Sequence, residues 1–267
     1  MPPKTPNGPN AFGSLLREHR EMRRWSQAAL AEDAEVSTRH LSYLETGKAA
    51  PSREMVLLLA SALDLPLRER NALLGAAGFT PAYRELSLDG PELKDVRHAI
   101  ELLLAHHEPY PAIVVDPLWN LISMNRGAQF LFGGLVGDDA EMAALMRNAF
   151  RLIFHPKGAR RYVENWEEVA SYGLDLLRRE TRVPRDGARE LLEEIEGYAG
   201  ELAKRPLMML ETPLLQLRLR KGDLALRFFT TVTTLGTPHD VTTQEVRIES
   251  YFPADEFTRT WMQGAKV

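Results

Sequence analysis

The sequence of 267 residues contains no cysteine. Disulfide bonds and thiolate metal sites are therefore excluded, in agreement with a cytoplasmic location. The sequence also has no run of about 20 apolar residues, which is the length that a membrane helix needs, and no membrane contact is expected. Residues 1–10 lack the apolar stretch of a secretory signal, and we interpret them as a disordered lead-in.

Motifs of common enzyme classes are missing as well. There is no Gly-rich phosphate loop, no thiol nucleophile and no Gly-x-Ser-x-Gly elbow. The acidic pairs Glu167-Glu168 and Glu193-Glu194 are adjacent on predicted helices, so the two side chains of each pair diverge. The pair His106-His107 diverges for the same reason, and no carboxylate cluster lies nearby at ligand spacing. We therefore expect no enzyme, no metal site and no cofactor.

The stretch 36–47 has the pattern of a DNA-recognition helix. Ser37 is a good N-cap, because its hydroxyl can accept a hydrogen bond from a free amide of the first turn. Leu41 and Leu44 share one face, and Gly47 stands where helices commonly end in the left-handed conformation. The opposite face carries side chains that can reach a phosphate or a base edge: Thr38, Arg39, Ser42 and Tyr43.

Further helices are predicted at residues 12–24, 27–34, 53–63 and 66–77, with Ser26 as the cap of the second. Five short helices with a capped third one resemble the lambda-repressor-like, XRE-type DNA-binding domain, over residues 12–79. A small helical bundle that binds no DNA is the alternative.

The resemblance implies roles for individual residues. Gln27 matches a phosphate-contacting glutamine, and Arg39 is the best candidate for reading a base, since a guanidinium can bind both acceptors of a guanine edge. Arg20 and Glu45 match a pair that bridges the first and third helices, which favours a structural role. The expected DNA-binding residues are Gln27, Thr38, Arg39, Ser42, Tyr43, Thr46 and Lys48.

The net charge of the DNA-binding half bears on the expected oligomeric state. Residues 1–80 contain ten basic and nine acidic side chains, so their net charge is about +1, whereas the remainder of the chain has 23 basic and 28 acidic ones. A DNA-binding half is usually more basic, and phosphate contacts supply most non-specific affinity. We therefore expect a homodimer on double-stranded operator DNA, with half-sites about one helical turn apart.

After the DNA-binding domain, expected at 11–80, residues 81–108 are predicted to form a linker and a connecting helix that contributes to the dimer contact. The final domain, 109–267, is predicted to be α+β. Strands are expected at 112–116, 119–124, 215–220, 224–235 and 246–252, and helices at 125–132, 138–154, 160–182 and 188–204. Together they predict an antiparallel sheet of about five strands with helices on one face. The order of strand, turn, strand and then Asn125 at a helix start resembles the opening of a PAS domain.

Four motifs carry a wider resemblance: residues 107–111 (HEPYP), 164–169 (ENWEEV), 229–240 (FTTVTTLGTPHD) and 247–255 (RIESYFPAD). In this order they resemble the MmyB-like regulators, from about residue 12 to 262. That family joins an XRE-type domain to a PAS-like domain. The resemblance implies a transcription regulator that binds a small apolar, fatty-acid-like ligand.

The residues themselves support a pocket, because Met and aromatic side chains are mixed with a few polar groups. The expected ligand-binding residues are Trp119, Asn125, Met146, Phe150, Phe154, His155, Asn165, Trp166, Arg227, Phe229, Thr231 and Thr233. An Arg or His is a suitable anchor for a carboxylate, although Arg227 could equally pair with Glu249 across the sheet. The alternatives are a dry core that serves dimerisation and a surface that docks a protein partner.

Overall fold

The computed structural model describes residues 10–137, 140–183, 185–206, 214–236 and 238–264. Most of the lead-in expected at 1–10 lies outside them. The chain forms two compact units. The first comprises residues up to Ser87 together with the segment 237–244, and the second comprises 88–236 and the residues from Glu245 onward. The predicted domains are single continuous ranges and do not include this returning segment.

The first unit begins with five α-helices, as predicted: α1 (Ala11–Met22), α2 (Gln27–Asp33), α3 (Thr38–Glu45), α4 (Arg53–Ala62) and α5 (Leu67–Ala76). Their starts are fixed locally. Ser26, Ser37 and Ser52 each accept a hydrogen bond from the backbone amide three residues later, which satisfies a free donor of the first turn. Their apolar faces meet in one core that includes the fully buried Leu16 and Leu41.

The second unit contains the predicted five-stranded antiparallel sheet: β1 (Ala112–Val115), β2 (Leu121–Met124), β3 (Gln216–Lys221), β4 (Leu224–Thr234) and β5 (Arg247–Pro253). The strand order is β2-β1-β5-β4-β3. Strand β5 is thus the last in the chain and the central one in space. It pairs with β1 on one side and with β4 on the other.

The remaining helices are α6 (Lys94–His106), α7 (Arg126–Val136), α8 (Ala140–Leu145), α9 (Ala149–Phe154), α10 (Trp166–Glu180), α11 (Ala188–Ala199), α12 (Val241–Glu245) and α13 (Glu256–Gly264). The helix predicted over 138–154 is in fact two, because buried Asn148 caps α9 through Arg151 N and donates to Leu118 O. The helix predicted to begin at residue 160 begins instead at Trp166, after a 3-10 turn. Helix α11 ends at Ala199, and a 3-10 turn (Gly200–Lys204) follows it.

Both faces of the sheet carry buried side chains, so the expectation that helices cover one face was wrong. Alternate residues of β1 show the division. Ile113 and Val115 belong to the main core beneath α7 and α9. Val114 belongs to a smaller core with Ile100 of α6 and Ile248 of β5. The overall class is nevertheless α+β, as predicted.

The connection between β4 and β5 contains the returning segment of the first unit. Val241 N donates to Arg84 O at 2.9 Å, and Leu86 N donates to the Asp240 carboxylate at 2.9 Å. Gln244 Oε1 accepts a hydrogen bond at 2.7 Å from Leu67 N, at the start of α5. Buried Asp240 also caps α12 by accepting from Thr243 N. Residues 240, 241 and 244 of the segment are therefore hydrogen-bonded to the rest of the first unit.

Candidate functional site

Helix α3 presents a polar surface near its N-terminus. Thr38 and Arg39 are exposed, whereas Tyr43 is half-buried one turn later. Arg39 Nε donates to Tyr43 Oη at 3.0 Å, and the guanidinium lies 5.3 Å from the centre of the Tyr43 ring. The ammonium of Lys48 lies 5.9 Å from the same ring. Two cations therefore flank one aromatic ring on the surface expected to enter the major groove.

A buried ion pair holds α3 against α1. Arg20 donates to both oxygens of the Glu45 carboxylate, at 2.6 Å and 2.9 Å. Gln27 Nε2 donates to the same carboxylate at 2.8 Å, so the start of α2 joins this network. The structural role predicted for Arg20 and Glu45 is confirmed. The phosphate contact of Gln27 stays a prediction, because its amide nitrogen here bonds inward.

The end of α3 is also ordered by local contacts. Thr46 Oγ1 donates to the carbonyl of half-buried Ser42 at 2.7 Å, and Gly47 follows with φ +71°. This left-handed conformation, which glycine adopts without strain, is the one predicted. Thr46 and Lys48 are exposed beyond the helix end, where the chain can approach a phosphate. Their contacts with DNA stay predictions.

The second unit contains an apolar cavity of about 120 Å³. Helices α9 and α10 form one wall, and residues of β3, β4 and β5 form the other. The described residues that line it are Trp119, Ala149, Phe150, Ile153, Phe154, Val169, Tyr172, Gly173, Leu176, Leu215, Leu217, Thr230, Glu249 and Tyr251. Gly173 leaves room here, since a Cβ at this position would lie 3.2 Å from the Phe154 ring.

Trp119 is held against this cavity by a turn that differs from the predicted strand. The strand β2 begins two residues later, because the Asp116 carboxylate accepts from Leu118 N and Asn120 N at 2.8 Å and 2.9 Å. Trp119 consequently has φ +61°, a conformation that is rare for bulky residues and often marks functional sites. Its indole Nε1 is buried and has no hydrogen-bond acceptor among the described residues.

The polar part of the cavity wall comes from the neighbouring strands β4 and β5. Tyr251 Oη donates to Glu249 Oε2 at 2.8 Å, and the Thr230 side chain also hydrogen-bonds this carboxyl group. Burial raises the pKa of Glu249 to about 7, against the smaller opposing effect of the two hydrogen bonds. Burial, and then the charge of Glu249, also raises the pKa of Tyr251. Near neutral pH this carboxyl group is thus partly protonated.

Four of the predicted ligand-binding residues line cavities. Trp119, Phe150 and Phe154 line the main one. Met146 lines a neighbouring space of about 30 Å³, which shares Ala149, Ile153 and Tyr251 with the first. The side chains of these three residues therefore separate the two spaces.

Asn125, which was predicted to bind the ligand, is not among the described residues that line either cavity. Its side-chain oxygen accepts from Ala112 N and Ala128 N, both at 2.9 Å, and its amide donates to Tyr110 O at 2.8 Å. The side chain is buried and caps α7 while tying that helix to β1. Asn125 is therefore a structural residue.

Three further residues predicted to bind the ligand also lie outside the described lining of the cavity. Asn165 is buried and donates at 2.7 Å to a backbone carbonyl at the start of β3. Trp166 packs behind Phe154, with the ring centres 6.1 Å apart. His155 lies at the end of α9 and packs edge-on against Tyr198. None of these three residues is among the described residues that line the cavity.

The ligand-binding residues predicted on β4 lie on the face of that strand that points away from the cavity. Phe229 stacks on Phe252 there, and the exposed Thr231 and Thr233 share the same face. Arg227 is exposed and lies 3.9 Å from Asp255, so the alternative pairing with Glu249 is also wrong.

Thr230 is the β4 residue that reaches the cavity. The period of two places it on the face of buried Phe228, so the sequence contained the signal that would have identified it. The sequence predicted Glu249 only as a partner of Arg227 across the sheet and gave no role to Tyr251.

Other site types were searched in the described part of the chain. No group of three His, Cys, Asp or Glu side chains there is arranged to hold a metal ion. No described helix combines the length and the apolar character needed to span a membrane. Arg, Lys and His are absent from the described residues that line the main cavity.

Two family models match the sequence. Residues 11–73 match a helix-turn-helix domain, and residues 96–264 match the MmyB-like transcription regulator ligand binding domain. A search of curated proteins gave no match. One similar solved structure is titled "Structure of an RNA-binding Light-Oxygen-Voltage Receptor", with 14% identity and a TM-score of 0.27. The match covers 95% of this chain and 57% of that one, less than two thirds of its length; at this TM-score it supports no conclusion.

Replacing Asn125 tests its structural role. We expect Asn125→Ala to lower the free energy of unfolding of the second unit by about 3 kcal/mol, because it removes a cap and leaves buried backbone groups unpaired. Urea unfolding followed by circular dichroism measures this change. Gln129→Ala, at an exposed position of the same helix, is the matched control. Unchanged stability of Asn125→Ala together with altered ligand affinity would contradict the structural assignment.

Proposed function

Because the chain belongs to the MmyB-like transcription regulators, we propose that it is a sequence-specific DNA-binding regulator whose second unit binds a small, elongated apolar ligand. Ligand binding changes the affinity of the first unit for operator DNA. The families matched are regulators and ligand-binding domains, not enzymes. The apolar part of the proposed ligand is fatty-acid-like, that is, a hydrocarbon chain.

The apolar cavity of the second unit is the observation that carries this proposal. Aromatic and aliphatic side chains from α9 and α10 form most of its wall, and three polar side chains, Thr230, Glu249 and Tyr251, meet on the sheet side. An apolar pocket with a few convergent polar groups is the usual form of a small-molecule site. The rival function is a dry module for protein docking, which requires no such cavity.

The surface of α3 supports the DNA-binding part of the proposal. Among the described residues, Arg39 has no carboxylate partner, and its contact with Tyr43 restricts its orientation. A planar guanidinium presented at the start of a recognition helix suits the two acceptors of a guanine edge. Lys48 lies beyond the helix end, where a phosphate is the natural partner.

We also propose that the protein acts as a homodimer. The small net charge of residues 1–80, about +1, gives one copy few phosphate contacts. Two copies on a symmetric operator would double them. Leu102 and Leu103 of α6 are each 45% exposed, and burial of these side chains would stabilise a dimer.

The route of coupling follows from chain connectivity. Strands β4 and β5 carry the polar cavity residues Thr230, Glu249 and Tyr251. The chain between these strands includes the segment 237–244, which belongs to the first unit. A ligand that changes the conformation of β4 and β5 would therefore also act on the segment between them. That segment is hydrogen-bonded to backbone groups of the DNA-binding unit.

Arg39→Ala tests base recognition. We expect specific affinity to fall roughly 10- to 100-fold, with the preference lost at one base position, since a bidentate base contact contributes about 1–3 kcal/mol. Lys48→Ala should instead weaken binding to all sequences alike and reduce the salt slope by about 1. Selection from a random DNA pool, followed by fluorescence anisotropy, measures both variants. A uniform loss for Arg39→Ala would show that Arg39 contacts only the backbone.

Native mass spectrometry of the purified protein tests the ligand and the dimer. We expect a dimer that carries one small apolar molecule per subunit, recovered by denaturing extraction. Gly173→Leu should remove the molecule, because the added side chain would occupy space beside Phe150 and Phe154. Gly197→Leu is the control at an exposed helical glycine with no neighbour within 4 Å of an added Cβ. A wild-type protein without a bound molecule would favour the docking module instead.

Asp240→Ala tests the coupling route. The substitution removes the carboxylate that binds Leu86 N and caps α12. We expect ligand affinity to change less than about twofold, while the effect of the extracted ligand on DNA affinity decreases, since coupling needs an element that both sites influence. Asp223→Ala, in the exposed turn between β3 and β4, is the control. An unchanged ligand effect in Asp240→Ala would exclude this route.

A further inference from the structure

The polar groups of the cavity wall define which ligand head group the cavity accepts. Glu249 is buried beside Tyr251 and Thr230 and can accept a hydrogen bond in either protonation state. The indole N–H of Trp119, 7% exposed, is a buried donor without an acceptor among the described residues. The wall therefore provides both a carboxyl group and an unpaired donor.

Charge is the property that discriminates between head groups here. No Arg, Lys or His is found among the described residues that line the cavity, and the other titratable groups there are the phenols of Tyr172 and Tyr251. A ligand carboxylate would find no counter-ion among these described lining residues and would lie close to an acidic side chain. Burial of an unpaired charge beside a like charge is strongly unfavourable.

Resting on the function proposed above, we infer that the cavity selects a ligand with an uncharged hydroxyl head, an apolar alcohol, over the corresponding carboxylic acid. A hydroxyl can donate a hydrogen bond to a carboxyl oxygen and can accept one from an N–H group. It also carries no charge that needs a partner after burial. This conclusion replaces the expectation that an Arg or His anchors a carboxylate.

The ionisation of Glu249 adds a pH dependence that separates the two head groups. With a pKa near 7, Glu249 is mostly protonated at pH 6 and mostly ionised at pH 8. A carboxylate ligand would therefore bind more weakly as the pH rises through 7, because repulsion replaces a possible hydrogen bond. An alcohol finds an acceptor at both values, so its affinity should change much less.

Three probes of equal chain length test this inference: 1-decanol, decanoate and decylamine. Titration calorimetry on the ligand-stripped full chain at pH 8 should give at least about tenfold tighter binding for 1-decanol than for decanoate. Decanoate affinity should rise at pH 6. Decanoate binding as tightly as 1-decanol at pH 8 would overturn the inference, and so would decylamine binding more tightly than 1-decanol, which would indicate a cation site.

Failure of the ligand-binding proposal has a different signature. If none of the three probes binds and the purified protein carries no molecule, the proposed ligand site itself fails, and the head-group inference fails with it. Binding of any probe that is lost in Gly173→Leu keeps the ligand site and leaves the ranking of head groups as the decisive result.

Glu249→Gln isolates the carboxyl group. Glutamine has nearly the same shape and cannot ionise, so we expect decanoate to bind about tenfold more tightly to this variant than to the wild type at pH 8. The pH dependence of decanoate binding between pH 6 and 8 should disappear in this variant. The affinity of the variant for 1-decanol should differ from that of the wild type by less than about threefold. Glu201→Gln, at an exposed position, is the control.

A second variant guards against misfolding. If Glu249→Gln does not fold, Thr230→Val removes one hydrogen-bonding partner of Glu249 while retaining the carboxyl group. The preference for 1-decanol over decanoate at pH 8 should then persist. An unchanged pH profile for decanoate in a folded Glu249→Gln protein, or a reversed preference in Thr230→Val, would contradict the role of Glu249.

Discussion

The pairing of β5 with β1 and β4 is the constraint on which the second unit depends. The last strand of the chain lies between a hairpin that precedes it by more than 100 residues and the long β3–β4 hairpin. Without β5 there is no continuous sheet. Its alternating residues supply Ile248 to one core and Glu249 and Tyr251 to the cavity side. The part of the cavity wall that carries these two polar residues therefore forms only when β5 joins the sheet.

Local signals explain what the sequence predicted well. The serine caps of α2 and α3, the left-handed Gly47 and the alternation of the late strands depend on neighbouring residues, which a single sequence displays. The errors arose where a distant group decided the outcome. Buried Asn148 divides one predicted helix through its contact with Leu118, and nothing within the amphipathic pattern of 138–154 indicates that contact. The returning segment 237–244 likewise depends on partners near residues 67 and 84–86.

The candidate site shows the same division between local and distant information. Large aromatic residues of the cavity, Trp119 and Phe150, were predicted because aromatic side chains on an apolar face are either core or pocket. Polar residues were harder to place. Asn125 and Asn165 are buried to satisfy backbone groups, which a motif cannot distinguish from ligand binding. Glu249 resembled a surface residue, since acidic side chains are seldom fully buried.

The energetic cost of burying Glu249 is a reason to expect that strands β4 and β5 respond to the proposed ligand. A carboxyl group in an apolar wall is stabilised only by its few hydrogen bonds, so a ligand that adds or displaces one changes the energy of β4 and β5 directly. In the proposed regulator, a ligand transmits only the difference between its affinities for the DNA-binding and the non-binding state of the protein. This difference is typically about 1–3 kcal/mol, or 5- to 150-fold in DNA affinity. One hydrogen bond to a buried charged or acidic group is of that size. A single head-group contact would thus be sufficient for the proposed regulatory response.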